Sequence, residues 1–218
     1  MGTLLTFEPP GPHLRAALLA RTGVDVGEAA ARRAIGAEIA HYRAHLHEGG
    51  DAAGLAALRR ASAEAMRTEL PAGIDGDVLT AALLDSLRFH AFEEVPGALR
   101  ALRARGLRLV VVSNWDVSLH ERLEETGLAP LLDGAIASAE AGAAKPDPVI
   151  FARGLELAGV AAHEAWHAGD SVEADVEGAR AAGLTPVLVA RDGGGRAPAG
   201  VRVVSSIAEL AAVPSLGS

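Results

Sequence analysis

Four side chains in the second half of the chain carry groups suited to chemistry on a phosphoryl group: Ser113, Lys145, Asp170 and Asp175. A hydroxyl and an ammonium bind phosphoryl oxygens. Paired carboxylates hold Mg²⁺, a hard cation that prefers oxygen ligands. Phosphoryl transfer rests on such positioning and on charge neutralisation. Each residue also has a plainer role. Ser113 and Asn114 could begin a helix, Lys145 could be a solvated surface lysine, and Asp170 and Asp175 could cap the helix that they open. Their placement relative to strands favours the chemical reading.

Leu107 to Val112 is a run of branched aliphatic residues, the pattern of a parallel strand buried on both faces. It stops at Ser113, Asn114, Trp115 and Asp116. A second short strand, 134–138, precedes the loop that carries Lys145 and Pro146. A third, 165–169, leads into Asp170, Ser171 and Asp175. Strands at 186–190 and 201–204 follow, with helices expected at 98–105, 119–125, 148–157, 173–182 and 207–212. This alternation predicts an α/β fold, a doubly wound parallel sheet with helices on both faces. The loops after parallel strands share one edge, so the polar clusters converge there. Trp115 either shapes the approach to that edge or packs between sheet and helix. Asp116 caps the next helix. The run Gly193-Gly194-Gly195 precedes no helix and reads as a turn, not as a phosphate cradle. The tail from Pro214 reads as frayed.

The first 90 residues look different. Residues 1–12 end in Pro9, Pro10, Gly11 and Pro12 and read as a turn or linker. Helical patterns then follow, with one from 25 to 47 capped by Asp25, one opened by Asp51 and one from Asp75 to Leu87. Residues 13–90 are therefore expected to form an all-helical cap, with 1–12 and 91–218 forming the α/β core. His41 and His45, four apart on one helix face, lack a third metal ligand in any recognisable motif and read as surface or interface residues.

Composition narrows the classes. Half of the 218 residues are apolar, 22% are charged and none is cysteine, which excludes thiol catalysis and disulfide frameworks. A net charge of −8 without basic runs argues against nucleic acid and anionic membranes as partners. The expected setting is cytoplasmic, as a monomer or homodimer.

Three stretches together resemble the haloacid dehalogenase-like (HAD) superfamily of phosphatases. They are Val110-Val111-Val112-Ser113-Asn114-Trp115-Asp116, Lys145-Pro146-Asp147-Pro148-Val149-Ile150-Phe151, and Gly169-Asp170-Ser171-Val172-Glu173-Ala174-Asp175. The likeness extends over essentially the whole chain and looks most like the branch named after a rhythmically expressed gene, with a helical C1-type cap. The resemblance implies Mg²⁺-dependent hydrolysis of a small-molecule phosphate ester. It implies that Ser113 and the Asn114 backbone bind the phosphoryl oxygens and that Lys145 pairs with the phosphoryl group and the nucleophile. It further implies that Asp170 ligates Mg²⁺, with Asp175 in support. Alternatives on the same fold are a noncatalytic phosphate or protein binding module and a haloacid dehalogenase.

One departure stands out. The family's first motif is a strand followed by D-x-D-G-T-L, whose first Asp is the nucleophile. Here Gly2-Thr3-Leu4 matches its end, and Met1 falls on the second Asp. The resemblance therefore expects an N-terminally truncated member, lacking the nucleophile and the central first strand and inactive as written. Two strand edges would then lack their partner.

Overall fold

The computed structural model describes residues 2–191, 193 and 198–213. Met1, residue 192, residues 194–197 and the tail 214–218 lie outside the described residues, and with them the expectations placed on Met1, most of the glycine run and the tail. The chain forms two compact units. One is Phe7–His90, and the other is built from residues before Phe7 and after His90.

The chain opens with strand β1 (Leu5–Phe7), which pairs with β2 (Phe89–Ala91). Helices α1 (Pro10–Thr22), α2 (Glu28–His45), α3 (Ala52–Ala65) and α4 (Gly76–Ser86) lie between them. Residues 1–12 are thus not a plain linker. Residues 5–7 are a strand, and Pro10 and Pro12 sit in the first turn of α1, where a missing N–H costs no helix bond. The Asp51 carboxylate caps α3 by accepting from Gly54 N at 2.8 Å, and the Asp75 carboxylate caps α4. Asp25 does not cap α2. Gly27 holds that position, and Asp25 accepts from Gly27 N and pairs with Arg15. Leu14, Leu18, Ala31, Leu79 and Leu83 are buried together as the core of this unit. The His41 and His45 rings stack 4.2 Å apart, with His41 Nδ1 3.2 Å from Ser62 Oγ. Among the described residues no group of three or more His, Asp or Glu could hold a metal ion, and no helix is long and apolar enough to cross a membrane.

The α/β unit runs α5 (Val95–Ala104), β3 (Val110–Ser113), α6 (Leu119–Glu125), β4 (Gly134–Ala137), α7 (Ser138–Ala141) and α8 (Pro148–Ala158). It continues with β5 (Trp166–Gly169), α9 (Gly178–Ala181), β6 (Thr185–Val189) and β7 (Arg202–Val204). A wide π-type turn, Val172–Glu177, leads into α9, and a 3₁₀ segment, Ile207–Ala212, follows β7. β3 is shorter than the sequence pattern suggests. Leu109 is taken out of the ladder by Asp133, whose N donates to Leu109 O and whose carboxylate accepts from Leu109 N, each at 2.7 Å.

The strands are parallel but fall into two separate sheets. β3 pairs with β4, with Val110 opposite Gly134 and Ser113 opposite Ala137. β5 pairs with β6, and β6 with β7. Among the described residues, β3 and β5 do not pair with each other. Both instead line a cavity of about 440 Å³, walled further by α5, α6 and α8. The apolar core lies around it, with Val95, Leu99, Leu119, Leu123 and Val187 buried.

Candidate active site

The carboxyl ends of β3 and β5 bring the expected residues to one end of this cavity, which Thr3, Ser113, Trp115, Lys145 and Asp170 all line. Lys145 is the residue held most tightly. Its Nζ donates to Val112 O at 2.9 Å and to Asp175 Oδ1 at 2.6 Å, and its side chain is 11% exposed. Its backbone is fixed as well. Asn114 Oδ1 accepts from Lys145 N at 2.7 Å, and Asn114 Nδ2 donates to Lys145 O at 2.9 Å. The Asn114 side chain thus works as a clamp between two loops. Ser113 sits directly before that clamp.

The two carboxylates have separate tasks. Asp175 is 4% exposed, and its oxygens accept from Lys145 Nζ, from His167 Nε2 at 2.9 Å and from Ser171 N at 2.9 Å. Burial opposes its charge. The His167 hydrogen bond and the Lys145 ammonium outweigh burial and hold the carboxyl well below the usual carboxylate range. Asp170 is exposed, and its Oδ1 accepts from the Thr3 hydroxyl at 2.7 Å. Gly169 explains how Asp175 reaches its place. A Cβ there would lie 2.1 Å from Asp175 Cγ, so only glycine lets the carboxylate fold back under the strand end. The Ser171 hydroxyl accepts from Ala174 N and caps the turn that carries Asp175.

Gly2 and Thr3 are placed against Asp170 by a residue that the sequence pattern did not single out. Arg191 donates from Nε to Gly2 O at 2.8 Å and from Nη2 to Thr3 O at 2.7 Å. It pairs with Glu94 at 2.7 Å and lies 3.5 Å above the Phe92 ring. A Cβ on Gly2 would come within 2.7 Å of Asp170 Oδ2, which measures how closely the two segments meet. His167 belongs to the lysine network. Burial pushes its imidazole below the ordinary value, with the Asp175 hydrogen bond opposing and the Lys145 charge adding to the fall. The neutral ring then donates from Nε2 to Asp175. Trp115 packs against the apolar core, and its indole N–H donates to Ser118 Oγ at 3.3 Å. Asp116 is buried and accepts from Ser118 N at the start of α6.

Comparison with known proteins bears on this arrangement. The bovine (Bos taurus) haloacid dehalogenase-like hydrolase domain-containing protein 3 is 41% identical over 128 residues, 59% of this chain and 49% of that protein. A phosphoserine phosphatase from Thermus thermophilus is 39% identical over 105 residues, 48% of this chain and 42% of that protein. The chain thus matches about half the length of these relatives. Among solved structures, the magnesium-bound HAD-hydrolase YfnB of Bacillus subtilis superposes with a TM-score of 0.71 at 19% identity, covering 96% of this chain and 93% of that one. The family model of the haloacid dehalogenase-like hydrolases matches residues 2–183, which takes in both sides of the cavity and every residue of the lysine network. The chain belongs to the haloacid dehalogenase-like hydrolases.

Proposed function

We propose that the site takes the phosphoryl group of a small phosphate monoester between Ser113, Asn114 and Lys145, for Mg²⁺-dependent hydrolysis with Asp170 as the metal ligand. The observation that carries this reading is the anchored ammonium. Lys145 Nζ is held by Val112 O and Asp175 beside the Ser113 end of β3, so its charge is preset for an anion arriving there. The similarity to a phosphatase over 105 residues agrees with it.

The residues present fit Mg²⁺ of the kind that keeps most of its waters and binds through one carboxylate and the substrate's own oxygens. Asp170 is exposed and has an oxygen beyond the one bonded to Thr3. Asp175 fits a supporting role, since its oxygens are engaged by three N–H donors. Bound Mg²⁺ would neutralise charge on the phosphoryl oxygens. The chain's own residues do the rest. The Ser113 hydroxyl donates to a phosphoryl oxygen, Lys145 offsets the negative charge, Asn114 keeps the lysine loop in place, and Arg191 with Thr3 fixes Asp170.

Isothermal titration of inorganic phosphate in the presence of Mg²⁺ tests this. Lys145→Met is expected to weaken binding at least tenfold, about 1.4 kcal/mol or more, and Asp170→Asn to remove its Mg²⁺ dependence. Unchanged affinity in Lys145→Met would remove the site.

A further inference from the structure

We propose that His41 and His45, in the helical unit, form a binding site for one divalent transition-metal ion of the zinc, nickel and copper class, with water completing its coordination. The inference rests on α2 and α3 alone and is independent of the phosphate chemistry proposed above.

Four features converge on the pair. The first is placement. The two histidines are four apart on α2 and therefore sit one above the other on one face. Their rings lie side by side, with centroids 4.2 Å apart and planes 17° from parallel. Two metal–nitrogen bonds of ~2.1 Å reach across about 4.2 Å at most, so a small closing tilt brings both rings onto one ion. The second is orientation. His45 Nδ1 donates to His41 O at 2.8 Å, and Ser62 Oγ, 3.2 Å from His41 Nδ1, can accept from it. Donation from Nδ1 leaves the lone pair on Nε2. Metal-ligating imidazoles are oriented in this way, by an oxygen on the opposite ring nitrogen.

The third feature is availability. Neither Nε2 has a hydrogen-bond partner among the described residues, and both side chains are only partly buried, so an ion reaches them from solvent. The fourth is an uncompensated carboxyl. Glu38 lies one turn before His41 on the same helix, is 6% exposed and has no hydrogen-bond partner among the described residues. Burial alone pushes it up to about 7. A cation bound one turn away would offset the cost of that buried group.

The donor set selects the ion. Imidazole nitrogen suits zinc, nickel and copper, whereas Mg²⁺ takes oxygen ligands. The pair therefore does not compete with Asp170 for Mg²⁺. No group of three side chains completes a site among the described residues, which leaves the remaining positions to water. An ion held by both rings ties two successive turns of α2 together and, through Ser62, bears on α3. Binding should therefore stabilise the helical unit.

The probe is Zn²⁺ titrated into the untagged 218-residue chain, with Cu²⁺ as its spectroscopic reporter. Calorimetry should give one Zn²⁺ per chain, and electron paramagnetic resonance of the Cu²⁺ form should show two coordinated nitrogens. In the unaltered chain, Zn²⁺ should shift the imidazole proton signals of His41 and His45 together. His41→Gln and His45→Gln should each weaken Zn²⁺ binding at least tenfold, with helix content unchanged by circular dichroism. Ser62→Ala should weaken it by about tenfold, through loss of the oxygen that orients His41. His47→Gln should leave it intact, since His47 is exposed and lies beyond the end of α2. Full-strength binding in the His41→Gln/His45→Gln double variant would overturn the proposal. So would binding lost in Asp170→Asn, which would place the ion among the carboxylates, or no binding at millimolar Zn²⁺. Loss of phosphate binding in Lys145→Met bears only on the phosphate site, and loss of Zn²⁺ binding in His45→Gln bears only on the helical unit.

Discussion

Strand β6 reads Thr-Pro-Val-Leu-Val and strand β3 reads Val-Val-Val-Ser. Yet Val187, Leu188 and Val189 are 1%, 3% and 2% exposed, while every residue of β3 is only partly buried. The two runs are alike in β-propensity and in aliphatic content. They differ in neighbours. Among the described residues β6 is paired on both sides, with β5 and with β7, and β3 on one side only. An apolar run thus suits a segment to be a strand, but burial comes from what lies alongside it. Function follows the same division. The β3 and β5 ends that carry Ser113 and Asp170 flank the cavity, whereas the well-covered β6 contributes Arg191 just beyond its end.

Four measurements would break or sharpen this comparison. The largest effect is expected for Leu188→Ala, which should lower stability by about 3 kcal/mol in urea denaturation because it hollows a closed core. A loss no larger than that of the equivalent change in β3 would end the contrast. Gly169→Ala should cost about 2 kcal/mol, because its Cβ collides with the Asp175 carboxylate and displaces it from Lys145. Phosphate titration of that variant should also weaken, and an unchanged variant would show that the strand end yields without loss.

Acidification should destabilise the fold. Asp175 and His167 both have folded values below their ordinary 3.8 and 6.5, so the unfolded chain binds more protons in that range. Stability from His167 is complete above about pH 7 and falls as pH drops through its ordinary value. That from Asp175 is complete above about pH 5 and falls with further acid. Asp175→Asn should flatten the lower part of the curve. Urea midpoints that stay level from pH 7 to pH 3 would count against a charged lysine–aspartate network. The smallest effect belongs to Val111→Ala, less than about 1 kcal/mol for a partly covered side chain.

Much of this was legible in the primary structure, and the gaps have physical causes. Ser113, Lys145, Asp170 and Asp175 could be placed because each follows a strand at a short, regular distance, and parallel strands bring such positions to one edge. The Asp51 cap was legible because capping is a local interaction. Arg191 was not singled out, and the working role of His167 was not legible. Arg191 acts on Gly2 and Thr3 from the far end of the chain. His167 sits within a strand, where a packed imidazole and a working one have the same sequence context. Asp25 misled for a related reason. The sequence shows a residue suited to capping, but Arg15 and Gly27 N engage its side chain instead.

By itself the sequence determined the succession of strands and helices, the motif residues at the strand ends and the family, because these depend on local pattern and spacing. Only the tertiary structure decided that β3 and β5 remain apart around a cavity, that Asp175 faces Lys145 and His167 while Asp170 faces Thr3, and that Arg191 ties the first residues to the site. Those outcomes turn on which backbone edges and charged groups meet across long sequence separations, and spacing along the chain carries no record of that.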